Sequence, residues 1–454
     1  MKKFRLYIVS GLLFIPALSL AHGINGHVWV TDGAVEHTQE CAVRTLMELP
    51  GVREKLQIGA AFPDTGYATE EGRGYGETAH WEPFTQAYIE YLQVHYGPDF
   101  SDPHARDMIA FLMGFSSHGI EDEIFDTFFL RWSFEKEGTD QDLLDMATDI
   151  ILTGDEHTNL HPPVWYPLNE LLEIYSSDAI GLTVDPSVIE TGFFAIDNVV
   201  LGFAESKTPE EAAAQKEEMP WSKDAFLDPR VPGSHAFEKF AVGPYHDVLW
   251  RRLRGETRPQ DVLMQVAPLD GVALDSTDPT RVGSRIGVIS GIGVQDASLT
   301  SATVKLKGPD GQYVPIEVFP NRWGNKDNPG NYTRAIEIRP TVALVPDSDY
   351  TVELHPGLKL VDGSETTEMV SRTLRTGCGD PAACPETPMP AVPAAPDCGD
   401  YEWPDVRTDD EMSGGDIDGS SGCALNSHAG TMGSGAWMTM LLGLAAAIYL
   451  RRRA

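Results

Sequence analysis

Residues 105–132 read ARDMIAFLMGFSSHGIEDEIFDTFFLRW, and the fold turns on whether this stretch is a helix. Apolar residues recur through it at three- and four-residue intervals, the period of a helical face. FLMGF before the polar centre and FFL after it are apolar enough to bury the helix. His118, Asp122 and Asp126 lie four apart and so form one slowly drifting ridge. Charges on a buried face are costly unless a cation neutralises them. The helix therefore offers three candidate metal ligands, against the plainer reading of a solvated or salt-bridged face.

Working outward, HVWVTDGAVEHTQECAVRTLMEL, DQDLLDMATDIIL and PLNELLEIY repeat the helical period, so an all-helical domain is expected over 22–262. After VAPLDG the texture changes. SATVKLKG, YVPIEVF, TRAIEIRP, DYTVELHP and SRTLRTG are short β-branched runs between Gly, Pro, Asp and Asn turns, the pattern of a β-sandwich over 266–377. Its closing stretch, VPDSDYTVELHPGLKLVDG followed by LRTG, resembles bacterial Ig-like domains. The expected fold class is thus multidomain, an all-α domain followed by an all-β Ig-like sandwich. Residues 378–422 are rich in Pro, Gly and Asp and read as a spacer that packs no core.

The two ends suggest export. Lys2, Lys3 and Arg5 precede an apolar run from Leu6 to Leu18, and Ser19-Leu20-Ala21 fits a signal-peptidase site, so 1–21 reads as a signal peptide and His22 as the mature N-terminus. In 423–454, Cys423, a polar spacer, the apolar segment Ala436 to Leu450 and Arg451-Arg452-Arg453 resemble a myxosortase-type sorting signal. A single-pass helix is the alternative, although the segment is shorter than the roughly 20 residues a bilayer requires. The protein is expected outside the cytoplasm, at the cell surface, outer membrane or periplasm, C-terminally anchored to a membrane and monomeric.

Composition narrows the partners. Of 454 residues, 68 are acidic and 34 basic, a formal charge of −34, which opposes binding to nucleic acid or an anionic membrane surface. The five cysteines are few for an exported chain. Cys378, Cys384 and Cys398 cluster in the spacer, where one local disulfide leaves a third thiol, while Cys41 reads as a buried thiol in a helix.

Further candidate ligands lie outside the helix. IGAAFPDTGY places Asp64 in a Gly/Pro turn, and ETAHWEPF places His80 sixteen residues later. GDEHTNLHPPVWYP offers His157 and His161, but Thr158 stands where the zincin proteases carry glutamate, which disfavours a metallopeptidase. HGINGH supplies His22 and His27.

Together NGHVWVTDGA, GAAFPDTGY, ETAHWEPF, FLMGFSSHGIEDEIFD and WYPLNELLEIY, in that order, resemble the zinc-dependent phospholipase C family and its relatives, the GPI-specific phospholipase D catalytic domain and the single-strand zinc nucleases. The resemblance implies an α-helical hydrolase with two or three Zn²⁺ ions. It assigns one zinc to Asp64, His80, His118 and Asp122, with Asp122 bridging to a second zinc held by His27 and by the free amine and carbonyl of His22. The remaining zinc would fall to Asp126, His157 and His161, where the family pattern has a histidine near Asp126 and an acidic residue in place of His161. Asp155 or Glu156 could substitute there.

Zinc lowers the pKa of bound water and stabilises charge on phosphoryl oxygens, so a metal-bound hydroxide would attack phosphorus with Asp64 taking its proton. No G-x-S-x-G elbow or phosphate-binding Gly-rich loop appears, in keeping with a metal-only mechanism. The helical region carries about 16 Lys and Arg against about 43 Asp and Glu, a poor match to a polyanion. A phospholipid or other phosphodiester is thus the expected substrate, with nucleic acid disfavoured. The alternatives are a single-strand nuclease or a surface adhesion protein whose metal cluster is structural.

Overall fold

In a computed structural model of the protein the described residues are 23–403, without 140, 156, 159, 202–206, 322–330, 379–387, 400 and 402. The leader 1–21, His22, Glu156 and the tail 423–454 lie outside them. The helical part comprises α1 (Ile24–Ala34), α2 (Cys41–Glu48), α3 (Val52–Thr65), α4 (Arg73–Ala79), α5 (Glu82–Tyr96), α6 (Pro103–Ile124), α7 (Leu130–Glu137), α8 (Gln141–Gly154), α9 (Leu168–Ser176), α10 (Pro186–Ala195), α11 (Pro209–Glu218), the single turn α12 (Ser222–Ala225) and α13 (His235–Arg254).

The 105–132 stretch is the axis of this body. Asp102 caps α6 by accepting from the His104 amide, and Pro103 fits the first turn, where no amide partner is needed. Every residue from Met108 to Ile124 is buried, so the helix is covered on all sides, its acidic residues included. A π segment, Phe125–Phe129, joins it to α7. Along its length α6 packs on α3. A Cβ at Gly114 would stand 2.1 Å from the Leu56 carbonyl oxygen and one at Gly59 2.6 Å from that of Phe111, so glycine alone lets the two backbones meet.

The sheet part holds β1 (Gln265–Ala267), β2 (Ala273–Leu274), β3 (Ile286–Gln295), β4 (Val304–Lys307), β5 (Tyr313–Val314), β6 (Ile316–Pro320), β7 (Tyr332–Pro340), β8 (Asp349–Leu354) and β9 (Val370–Thr376). Among the described residues they form a sheet of order β1-β3-β7-β6 and one of order β2-β9-β8-β4-β5. All pairs are antiparallel except the parallel β2 and β9. Val288, Ile336 and Ile338 of the first sheet and Val304, Leu306, Val352 and Leu354 of the second share one hydrophobic core with the helices. Helices and sheets belong to one compact unit. At the seam, a Cβ at Gly287 would meet the Phe128 ring at 2.5 Å and one at Gly291 would meet Val248 at 2.8 Å. Among the described residues no helix is long and apolar enough to cross a membrane.

The cysteine expectations need correction. Cys41 is not a free thiol but forms a disulfide with Cys398, 357 residues away, and Cys378 is disulfide-bonded as well. Nor is the whole spacer detached from the core. Trp403 is buried, donates from Nε1 to the Ala42 carbonyl at 2.7 Å and packs edge-on against Trp250. A large indole with one satisfied donor anchors this returning strap where the disulfide fastens it.

Candidate metal centre

Four helices deliver a cluster of buried imidazoles and carboxylates. Asp64 comes from the end of α3, His80 from the junction of α4 and α5, and His118 and Asp122 from one face of α6, a turn apart. His27 comes from α1, whose start is held by Asp149 on α8: its carboxylate accepts from Asn25 Nδ2 at 2.7 Å and from the Gly26 amide at 2.8 Å.

Each histidine is oriented by its outer nitrogen. His80 Nδ1 donates to the Gly76 carbonyl at 2.7 Å and His118 Nδ1 to the Ala60 carbonyl at 2.6 Å. A carbonyl only accepts, so both Nδ1 atoms carry hydrogen and the Nε2 atoms of the neutral rings are lone pairs. These two lone pairs face each other at 3.1 Å. His27 Nδ1 lies 2.8 Å from Glu121 Oε2, and Glu121 Oε1 accepts from Thr31 at 2.8 Å. The His27 and His118 rings stack with centroids 3.6 Å apart.

The inner atoms enclose a small space. His80 Nε2 lies 3.5 Å from Asp64 Oδ1 and 3.5 Å from Asp122 Oδ2, and His118 Nε2 lies 3.7 Å and 3.5 Å from the same oxygens. A tetrahedron with metal–ligand bonds of about 2.0–2.1 Å has edges of about 3.3–3.4 Å. Five donor separations of 3.1–3.7 Å lie near that edge length. The second oxygen of Asp122, Oδ1, turns the other way and lies 3.2 Å from His27 Nε2. One carboxylate therefore faces two groups of imidazoles. Asp64 Oδ2 is buried without a hydrogen-bond partner among the described residues. The residues fit a divalent cation, and the triads His27, Asp64, His118 and His80, His118, Asp122 each bring ligand atoms within 4.8 Å of one another.

The metal-free electrostatics agree. Burial disfavours charge on His27, yet Asp122 and Glu121 outweigh it and push the imidazole up to about 10. Burial also opposes charge on His80, but Asp64 and Asp122 raise it. His118, buried between those two, is held well below the ordinary imidazole range. Burial raises Asp64 and Glu121 above the usual carboxylate range, opposed by the imidazoles. Protons here do the neutralising that a cation would do.

Among the described residues, the other expected ligands are in neither triad. Asp126 is buried, but it lies in the π segment, whose wider turn ends the four-residue ridge, and its Oδ1 accepts from Gln141 at 3.0 Å. His157, its side chain 40% exposed, lies 3.8 Å from Asp155, and His161, 31% exposed, lies 3.0 Å from Asp197. Neither joins the two triads. His22 is outside the described residues. Sequence reading overlooked Glu121 and Asp149, although a carboxylate inside a buried helix always signals a partner worth seeking.

No family model matches the chain. Phosphatidylinositol-glycan-specific phospholipase D of Bos taurus is 32% identical over 132 residues, 27% of this chain and 15% of that protein. The Rattus norvegicus protein of the same name is 26% identical over 183 residues, 37% of this chain and 22% of its own length. The chain thus matches about a fifth or less of these curated relatives. Among solved structures, domains 1–6 of surface layer protein SbsC cover 64% of this chain and 45% of their own at 12% identity, with a TM-score of 0.20, too low to indicate a common fold.

Proposed function

We propose that the chain is an exported, zinc-dependent hydrolase of phospholipid phosphodiesters. The observation that carries this is the pair of buried triads His27, Asp64, His118 and His80, His118, Asp122, every histidine fixed by an outer hydrogen bond. Similarity to proteins named as glycan-specific phospholipases supplies the substrate class, with phosphatidylinositol bearing a glycan as the first headgroup to test. The disulfide between Cys41 and Cys398 fits an oxidising compartment. The Ig-like character of the sheet region and a tether at 423–454 belong to the same proposal.

Bound zinc would supply Lewis-acid stabilisation of charge on the phosphoryl oxygens and activation of water. Asp122 would be a ligand, with Oδ2 turned toward His80 and His118 and Oδ1 toward His27. Asp64 would be a ligand, and its buried Oδ2, without a hydrogen-bond partner among the described residues, would accept a proton from water. Glu121 and the carbonyls of Ala60 and Gly76 would keep the three imidazoles aimed inward. His22 would add a terminal amine to the His27 side.

The test is hydrolysis of phosphatidylcholine, phosphatidylinositol and glycosylated phosphatidylinositol in mixed micelles, before and after chelation. Chelation should lower the rate at least ~100-fold, since the zinc contributions are worth several kcal/mol, and two or three equivalents of zinc should restore it. Undiminished hydrolysis by metal-free protein would overturn the proposal.

Metal binding should also release protons at neutral pH. In the metal-free chain His27 is protonated up to about pH 10, and coordination at Nε2 displaces that proton, so zinc affinity rises with pH over this range. Calorimetric titrations in buffers of unlike ionisation enthalpy should give different apparent heats, whereas identical heats would remove His27 from the ligand set.

A further inference from the structure

Against the His80 turn and α6 sits an arginine that belongs to the sheet region. Arg334 is on β7, its side chain is fully buried, and all its nitrogens are engaged with helical elements. Nε donates to Glu123 Oε1 at 2.9 Å. Nη1 reaches Tyr245 Oη at 3.0 Å, the Ser116 carbonyl at 3.3 Å and Glu82 Oε1 at 3.4 Å. Nη2 donates to the carbonyl of His80 itself at 3.2 Å.

These partners bracket the expected ligands. Glu123 follows Asp122, Ser116 precedes His118 by two residues, and Glu82 follows His80 by two. Gly119, between His118 and Asp122, closes the arrangement: a Cβ there would stand 2.1 Å from the His80 carbonyl oxygen and 2.8 Å from Arg334 Nη2. One planar guanidinium thus fixes how far the His80 turn stands from α6. Across the same gap His80 Nε2 and His118 Nε2 lie 3.1 Å apart. The contact is anchored from the sheet side as well, since Glu123 Oε2 accepts from the backbone amides of Arg334 and Ala335. Arg252, on α13, shares Glu82 at 3.0 Å, so two arginines and two glutamates balance in the buried network.

We propose that Arg334 is a positioning residue of the metal centre, so that the sheet region is a structural component of the site and its guanidinium fork sets metal affinity through the His80 turn and α6. This rests on the metal-centre reading of Asp64, His80, His118 and Asp122. Lysine would keep the charge but cannot reach Glu123, Glu82 and two carbonyls from one point.

The test uses the full chain, stripped of metal and titrated with Co²⁺, whose visible absorption reports the geometry of its ligands, and with Zn²⁺ in competition. Arg334→Lys, which keeps the charge balance, and the double variant Arg334→Met with Glu123→Gln, which removes charge in equal and opposite amounts, are compared with wild type. Both should keep wild-type far-ultraviolet dichroism, lose about 10- to 100-fold in metal affinity, as changes behind a ligand do, and show an altered cobalt spectrum. Wild-type affinity and spectrum in both variants would overturn the positioning role while leaving the metal centre standing. A wild-type chain that takes up no cobalt or zinc would overturn the metal centre and the brace together.

Discussion

Asp122→Asn should cut phospholipid hydrolysis roughly 10³-fold, about 4 kcal/mol of transition-state stabilisation, while leaving the fold intact. Its two oxygens face separate imidazole groups, Oδ2 toward His80 and His118 at 3.5 Å and Oδ1 toward His27 at 3.2 Å. Asparagine has the same shape but one oxygen, and its amide nitrogen cannot ligate. A metal centre built on Asp122 would therefore lose a charged ligand and bind less zinc. The fold should survive because asparagine keeps the shape of the side chain and Glu121 still accepts from His27. Measured together, kcat/KM, zinc content by mass spectrometry and the melting temperature separate these effects. Full activity in the variant would sink the zinc assignment.

Ending the chain at Asp261 should abolish both the folded state and activity. Read from sequence alone, the sheet domain is a separable module and the helical part should work without it. Instead, β3 lies against Phe128 and Val248, and Arg334 is wholly inside the helical body. Removing the sheets uncovers that apolar seam, deletes the arginine that neutralises Glu123 and Glu82, and takes away Cys398 and Trp403. Losing one partner of a buried ion pair costs about 3–5 kcal/mol, a large share of the ~5–15 kcal/mol that holds a domain together. Near-ultraviolet dichroism and zinc content of the shortened chain are the measurements. A cooperative melt with bound zinc and turnover would restore the separable-module view.

What sequence could and could not show follows from the range of each interaction. The long helix was legible because burial on all sides leaves a dense apolar record, with His118 and Asp122 standing out as its polar exceptions. Strands β4 to β9 were legible through short β-branched runs and turn residues. β3, IGVISGIGVQ, escaped because it is buried almost throughout and so shows no alternation, and its glycines look like turn residues when they are contact points for the helices. Arg334 escaped for a different reason. It lies where the pairing of β3 with β7 shifts register, between Ile289↔Ala335 and Val294↔Thr333, and such irregularities re-aim a side chain in a way that period-two reading cannot follow. Asp126 is in neither triad, and nothing local in the sequence marks the π turn that begins at Phe125. The bond from Cys41 to Cys398 crosses 357 residues and leaves no trace in either neighbourhood.

That bond also fixes how the molecule carries mechanical load. Tension entering the chain beyond Trp403 reaches Cys398 and passes covalently to Cys41, the first residue of α2. The residues from 42 to 397 form a closed loop outside that force path. They hold both sheets, the brace at Arg334, and Asp64, His80, His118 and Asp122. A drag on the tail would therefore strain a sulfur–sulfur link and the seat of Trp403 before it could peel a single strand, and the body between the two cysteines could be towed without being stretched.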